Sequence, residues 1–196
     1  MSAAPLSSIH RDALREQFRE HGEPAYRADQ LHKWLHQKHV GDWGAMTNLA
    51  KPLREKLAAE YTFSTVELAK LQGSGDTTRK FLWRLRDGQL VESVLIPANP
   101  ALYGEASDRH TLCVSTQVGC AYGCKFCASG LDGFKRNLEP AEIIDQVLAV
   151  ERWHKEQGGA GERLVNNLVI MGMGEPLANY DKLLAALDIL NAGWAT

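Results

Sequence analysis

Apolar residues change their spacing twice along this chain. Over residues 7–60 they recur at helical intervals. Ile9, Ala13, Leu14 and Phe18 share one face, Ser7 or Ser8 stands where an N-cap is wanted, and Gly22 and Pro24 end the run. A second helix is expected from about Ala28, with Leu31, Trp34 and Leu35 on one side. Thr47 is placed to cap a third, in which Leu49, Leu53 and Leu57 recur every four residues. Trp34 and Trp43 read as core residues of this small bundle.

Over residues 61–99 the period becomes two. Phe81, Trp83 and Leu85 alternate with polar neighbours, and so do Val91, Ser93 and Leu95. Arg86-Asp87-Gly88-Gln89 lies between the runs, and Asp-Gly there signals a hairpin, because both residues tolerate φ > 0. Pro97 and Pro100 mark a connection. From Thr111 strand and helix alternate. Thr111 to Val118 is an expected strand, and Pro140 suits a helix first turn. Ile143, Ile144, Val147, Leu148 and Val150 give that helix a buried face, and Gly158-Gly159 stops it. Leu164 to Met171 is a second strand, interrupted by Asn166-Asn167. After Gly172-Met173-Gly174-Glu175-Pro176 comes a helix with Leu183, Leu184, Leu187 and Leu190. Strand, helix, strand, helix implies parallel strands covered by helices, hence an α/β class. The expected organisation is a helical domain over 1–60, a β-hairpin connector over 61–100, and an α/β unit over 101–196.

Composition narrows this little. The chain has 196 residues, 23% charged and 44% hydrophobic, with a net charge of −2, so there is no global basic signature for nucleic acid. Charge is uneven, however. Five of the seven histidines lie between His10 and His39, among Arg11, Arg15, Arg19, Arg27, Lys33 and Lys38. Acidic residues are interleaved there, as on a solvated helix surface. No apolar stretch approaches membrane-spanning length. Met1 to His10 has neither a basic start nor an apolar core like a signal peptide, so the expected location is cytoplasmic, where thiols stay reduced.

That setting gives weight to the four cysteines. Cys120, Cys124 and Cys127 form Cys-x3-Cys-x2-Cys. Three thiolates on one short loop suit three irons of a four-iron cluster and leave the fourth open to a cosubstrate. This spacing resembles that of the radical S-adenosylmethionine (SAM) superfamily. There the open iron chelates SAM, and an electron from the [4Fe-4S] cluster cleaves it to a 5′-deoxyadenosyl radical. Phe126 also fits, as a flat apolar cover near the cluster and the adenine. A structural zinc site with Cys113 as fourth ligand is the other reading of the same residues. The glycine-rich turn adds backbone carbonyls and Glu175 for the SAM ammonium. Both loops follow strands, so they are expected on one rim.

Longer stretches narrow the resemblance. Residues 111–120, the cysteine loop, Gly133-Phe134-Lys135-Arg136-Asn137-Leu138 and Met171-Gly172-Met173-Gly174-Glu175-Pro176 resemble the RlmN/Cfr radical-SAM adenosine methyltransferases of 23S rRNA. Val91 to Pro97 and, more loosely, Tyr26 to Leu31 extend the likeness over nearly the whole chain. It implies a small helical domain that helps hold RNA, then the first part of a partial (β/α) barrel. It implies cluster ligands at Cys120, Cys124 and Cys127 and SAM contacts at Phe126, Gly174 and Glu175. Cys113 becomes the cysteine that resolves a covalent protein–RNA intermediate, and Glu92 the proton acceptor. From the residues alone, Cys113 equally suits a small buried hydrophobe and Glu92 an exposed strand carboxylate.

The proline of Gly174-Glu175-Pro176 resembles the RlmN branch, which methylates carbon 2 of adenine, more than the Cfr branch, which methylates carbon 8. Implied partners are 23S rRNA, tRNA as a second substrate, and an electron donor such as flavodoxin, with the full-length family monomeric. A zinc-containing, non-catalytic RNA-binding module is the alternative of a different class. One departure stands out. The family carries its transferred methyl group on a further cysteine near the C-terminus, and all four cysteines here are already assigned. The expectation is a truncated chain, ending after about two βα units, that does not complete turnover alone.

Overall fold

The computed structural model describes residues 3–73, 77–98, 107–159, 161 and 163–194. Pro100 lies outside them. Helices α1 (Arg11–Glu20), α2 (Ala25–His36) and α3 (Lys51–Glu60) build the N-terminal region. Their caps differ from expectation. Leu6–Ser8 form one 3-10 turn, and the N-cap of α1 is His10, whose Nδ1 accepts from the Asp12 N–H at 3.3 Å. Helix α2 starts at Ala25 because Pro24 itself takes the N-cap place, its carbonyl accepting from the Arg27 N–H at 2.9 Å. The N-cap of α3 is Ala50, not Thr47, with Pro52 in the first turn.

Leu14, Phe18, Leu31, Leu35, Leu49, Leu53 and Leu57 form this region's core, whereas Ala13 is exposed. Trp34 and Trp43 sit at its edge, half-buried. Each has a polar or aromatic partner outside the core: Trp34 Nε1 donates to Asn48 Oδ1 at 2.6 Å, and Trp43 lies 4.4 Å from the Phe63 ring.

Beyond α3, β2 (Tyr61–Thr62) pairs in parallel with β1 (Ala4–Pro5). The main sheet has five strands. They are β3 (Val66–Gly73), β4 (Arg79–Leu85), β5 (Leu90–Pro97), β6 (His110–Cys113) and β9 (Asn167–Val169), adjacent in that order. Only β6 and β9 pair in parallel; the other neighbours are antiparallel. The hairpin over 79–97 therefore extends the same sheet that carries the parallel pair. Its turn uses φ of +81° at Gly88, while Asp87 stays at negative φ.

The strand expected over Thr111 to Val118 breaks after Cys113. It resumes as β7 (Gln117–Val118), which pairs antiparallel with β8 (Arg136–Asn137) in a separate ribbon. Strand β9 is also shorter than the apolar run suggests. The N–H groups of Leu164 and Val165 go to the Glu151 carboxylate, at 2.9 and 2.7 Å, instead of to a ladder.

Helix α4 (Pro140–Glu156) starts with Pro140 behind a Glu139/Glu142 capping box and ends just before Gly158, φ +78°. It covers one face of the sheet. Phe81 and Trp83 stack at 5.2 Å, and Trp153 meets Phe81 edge-on at 5.1 Å. Helix α5 (Tyr180–Trp194) buries Leu183, Ala186, Ile189 and Leu190 against α4 and α2 and leaves Leu184 exposed. One apolar cluster runs from Leu6 to Leu190, so the helical region and the sheet share a core. Among the described residues no helix is long and apolar enough to cross a membrane.

Candidate active-site rim

Strand alternation sorts the sheet's side chains. Phe81, Trp83, Val91, Ser93, Leu95 and Leu112 face α4 and are buried. The opposite face is open, and Glu92 and Val94 project onto it. Val94 is registered against Cys113, and Cys113 against Val169, so Glu92 and Cys113 stand on the same open face. Glu92 is ion-paired with Lys80 at 2.7 Å, both partners about two-fifths exposed. Burial pushes the Cys113 thiol above its usual range, against a hydrogen bond with the Met171 backbone, so it is protonated at neutral pH.

The cysteine loop leaves this sheet through Gly119, whose φ is +72°. A Cβ there would meet the Gly133 carbonyl oxygen at 1.9 Å, so only glycine lets the two loop segments pass. All four thiols are free; Cys124 is exposed, and Cys120 and Cys127 are half-buried. The Tyr122 N–H donates to Cys120 Sγ at 3.4 Å, and the Cys127 N–H to the Cys124 carbonyl at 3.1 Å. Hydrogen bonds from the Ser129 side chain and backbone hold the Cys127 thiol below its usual range, toward the thiolate a metal needs. Phe126 stands in solvent, 93% exposed. Among the described residues no three His, Cys, Asp or Glu side chains are gathered as a metal-holding group, so the three sulfurs are not drawn together here. The donor set nevertheless suits an iron–sulfur cluster: three thiols unpaired with one another, on one loop, one of them already shifted toward thiolate.

The glycine-rich turn reaches the same place. Gly174 has φ of +102°, and a Cβ there would meet the Gln117 side chain at 2.6 Å. One backbone carbonyl of this turn, that of Met173, accepts from the Thr116 and Gln117 N–H groups at 2.8 and 3.2 Å. Glu175 turns its carboxylate back on the Leu177 N–H at 3.2 Å.

Gln117 is the residue that joins the two motifs. It is fully buried, and its Oε1 accepts from the Ala121 N–H of the cysteine loop at 3.0 Å and from the Glu175 N–H at 2.9 Å. Its Nε2 donates to Asn137 Oδ1 at 2.8 Å. Two other buried amides brace the rim. Gln146 Oε1 accepts from the Ser115 N–H at 2.9 Å, and its Nε2 donates to the Ser115 carbonyl at 3.0 Å. Asn179 donates to the carbonyls of Thr116 and Leu138. Sequence reasoning assigned no role to Gln117, Gln146 or Asn179. The only available signal was a polar amide within or beside an apolar run.

The N-terminal segment matches a family model described as the ribosomal RNA large subunit methyltransferase N-terminal domain, over residues 5–62. A probable dual-specificity RNA methyltransferase RlmN of Akkermansia muciniphila is 53% identical over 173 residues, 88% of this chain and 46% of that protein. Over the length it spans, the chain is similar to RlmN methyltransferases. A dual-specificity RNA methyltransferase RlmN of Anaeromyxobacter dehalogenans is 48% identical over 186 residues, 94% of this chain and 48% of that protein. A crystal structure of a radical SAM methyltransferase from Sphaerobacter thermophilus superposes with a TM-score of 0.83 at 38% identity. The match covers 96% of this chain and 52% of that one. The chain thus spans about half the length of the relatives it matches. The α/β fold is that of a radical SAM methyltransferase over this span.

Proposed function

We propose that this chain is the cluster-bearing part of a radical-SAM enzyme that methylates carbon 2 of an adenosine in 23S rRNA, and an adenosine in tRNA as well. The observation that carries the proposal is Gln117. One buried carbonyl oxygen binds the cysteine loop and the Gly174-Glu175 turn at once, beside the open face that bears Glu92 and Cys113. A site that must present a metal-bound cosubstrate to a base needs these parts on one rim.

Cys120, Cys124 and Cys127 would hold a [4Fe-4S] cluster. When bound, the cluster would supply the electron for reductive cleavage of SAM. Gly174 and Glu175 would flank SAM, and Phe126 would cover it. Glu92, ion-paired with Lys80, would accept a proton from a substrate on the open face. Cys113, protonated at rest, would resolve the protein–RNA bond. On this reading residues 1–60 would contact RNA, 61–100 would connect and 101–196 would be the barrel part, and the expected location is cytoplasmic. An external electron donor such as flavodoxin fits the exposed cysteine loop.

Anaerobic reconstitution tests this reading. The chain is expected to bind about four irons with matching sulfide. Cys124→Ala is expected to lose them while melting at the parent temperature, since the thiol is exposed. Zinc in a colourless protein would favour the RNA-binding module instead. With methyl-labelled SAM, reductant and a 23S rRNA fragment, the chain is expected to cleave SAM slowly and leave adenine unlabelled. Its four cysteines leave no thiol to carry the methyl group.

A further inference from the structure

Helices α1 and α2 pack along each other and leave a cleft of about 220 Å³, lined by Arg11, Arg15, Asp29, His32, Lys33 and Gln37. That is several times the roughly 30 Å³ share of one water molecule. Three cations face one carboxylate, a net charge of +2 with the imidazole neutral. Arg15 is matched: it donates to both Asp29 oxygens at 2.7 and 3.0 Å and to Asp12 at 3.1 Å. Arg11 and Lys33 make no ion pair among the described residues. Arg11 Nε and His32 Nε2 are buried without a hydrogen-bond partner, although His32 is only 6% exposed. Two buried nitrogens left unpaired, one of them on the unmatched Arg11, is a costly arrangement. Arg11 also opens α1, where the helix dipole favours negative charge.

We propose that this cleft is a phosphate subsite that grips one backbone phosphate of the RNA substrate through Arg11, Lys33 and His32. The proposal rests on the reading above that RNA is the substrate. Phosphate supplies several acceptor oxygens, enough for the Arg11 guanidinium and the Lys33 ammonium together, and for Arg11 Nε and His32 Nε2 once the side chains turn to uncover those buried atoms. The field in the cleft agrees. Burial first, then Arg11, His10 and Arg15, lower the His32 pKa to about 4, with Asp29 opposing them. His32 is therefore a neutral imidazole at pH 7 before the anion arrives.

The test compares the chain with Arg11→Gln and Lys33→Gln by fluorescence anisotropy on a synthetic RNA hairpin over a salt series. Each variant is expected to bind about fivefold more weakly at roughly 0.1 M salt. Each is also expected to reduce the slope of log affinity against log salt by about one. Lys33 is exposed and unpaired, so Lys33→Gln keeps the parent melting temperature and the comparison stands even if Arg11→Gln does not fold. Separately, inorganic phosphate is added while the His32 ring resonances are followed by NMR, and a shift lost in Arg11→Gln is expected. Unchanged affinity and slope in both variants would overturn the subsite. A phosphate-induced shift with unchanged RNA binding would overturn its assignment to RNA and leave a free-anion site. A parent chain that binds no RNA at all would instead overturn the functional reading itself.

Discussion

The helical region and the cysteine rim are held together by opposite means. Around α1 to α3 the buried groups are apolar, and the polar side chains caught among them, His32, His36 and His39, leave ring nitrogens unpaired. Around the rim the buried polar side chains include Ser115, Gln117, Gln146 and Asn179, each hydrogen-bonded to backbone, beside apolar Val114, Val118 and Leu138 and the unpartnered Thr116 hydroxyl. The difference follows from backbone accounting. Helices satisfy their own N–H and C=O groups, so side chains there need only fill space. At the rim the strand breaks after Cys113, and residues 114–116 and 119–121, on either side of the short β7, have donors and acceptors outside any ladder. Amide side chains replace the ladder, each offering an acceptor and donors in one plane. The thiols and Glu92 are then spared structural duty and remain accessible.

Mutations should separate the two regions by size of effect. Leu31→Ala, at a fully buried site, is expected to cost about 2–5 kcal/mol in denaturant unfolding. A cost below about 1 kcal/mol would show that the helical core is not tightly packed.

Acid should act mainly on the helical side. Desolvation lowers His32, His36 and His39 to about 4, 3 and 4, below their unfolded value of about 6.5. The unfolded chain then binds more protons, so the stability these neutral rings permit is present above about pH 6.5. It is lost as pH falls from there toward about 4. Between pH 7 and 5 each ring contributes a loss on the order of 2 kcal/mol at most. Buried Asp145 and Glu151, both raised by desolvation, act in the opposite sense and offset part of it. Melting temperature is expected to drop over that range, and His36→Phe to drop less. Identical slopes would remove the histidines from the account.

Gln117→Leu keeps the volume but leaves the Ala121 and Glu175 N–H groups without an acceptor, a cost of about 1–3 kcal/mol. Hydrogen exchange should quicken at those two amides and stay unchanged at Leu31. Uniform quickening would mean that the rim and the helices unfold as one unit. Smallest of all, Lys80→Met removes a pair about two-fifths exposed and is expected to change stability by less than about 1 kcal/mol. A larger shift in melting temperature would place that pair in a coupled network.

Local sequence was a good guide wherever one residue's chemistry decides the backbone. Asp87-Gly88 marked the hairpin and Pro140 the start of α4. It misjudged two caps, because His10 and Ala50 lie nearer the first turns of α1 and α3 than Ser7, Ser8 and Thr47 do. It overran two strands, since an apolar run does not reveal that Glu151, distant in sequence, will take the N–H groups of Leu164 and Val165.

What the sequence by itself determined is therefore the inventory: which segments are helix or strand, which loop carries the thiols, and which family the motifs resemble. These depend on periodicity, turn residues and spacing, all local in the chain. Only the tertiary structure decided that Glu92 and Cys113 share a face, because strand register sets which side chains stand together. It alone decided that Gln117 ties the cysteine loop to a turn 58 residues beyond it, because a buried amide's partners are chosen by packing and not by neighbours in sequence.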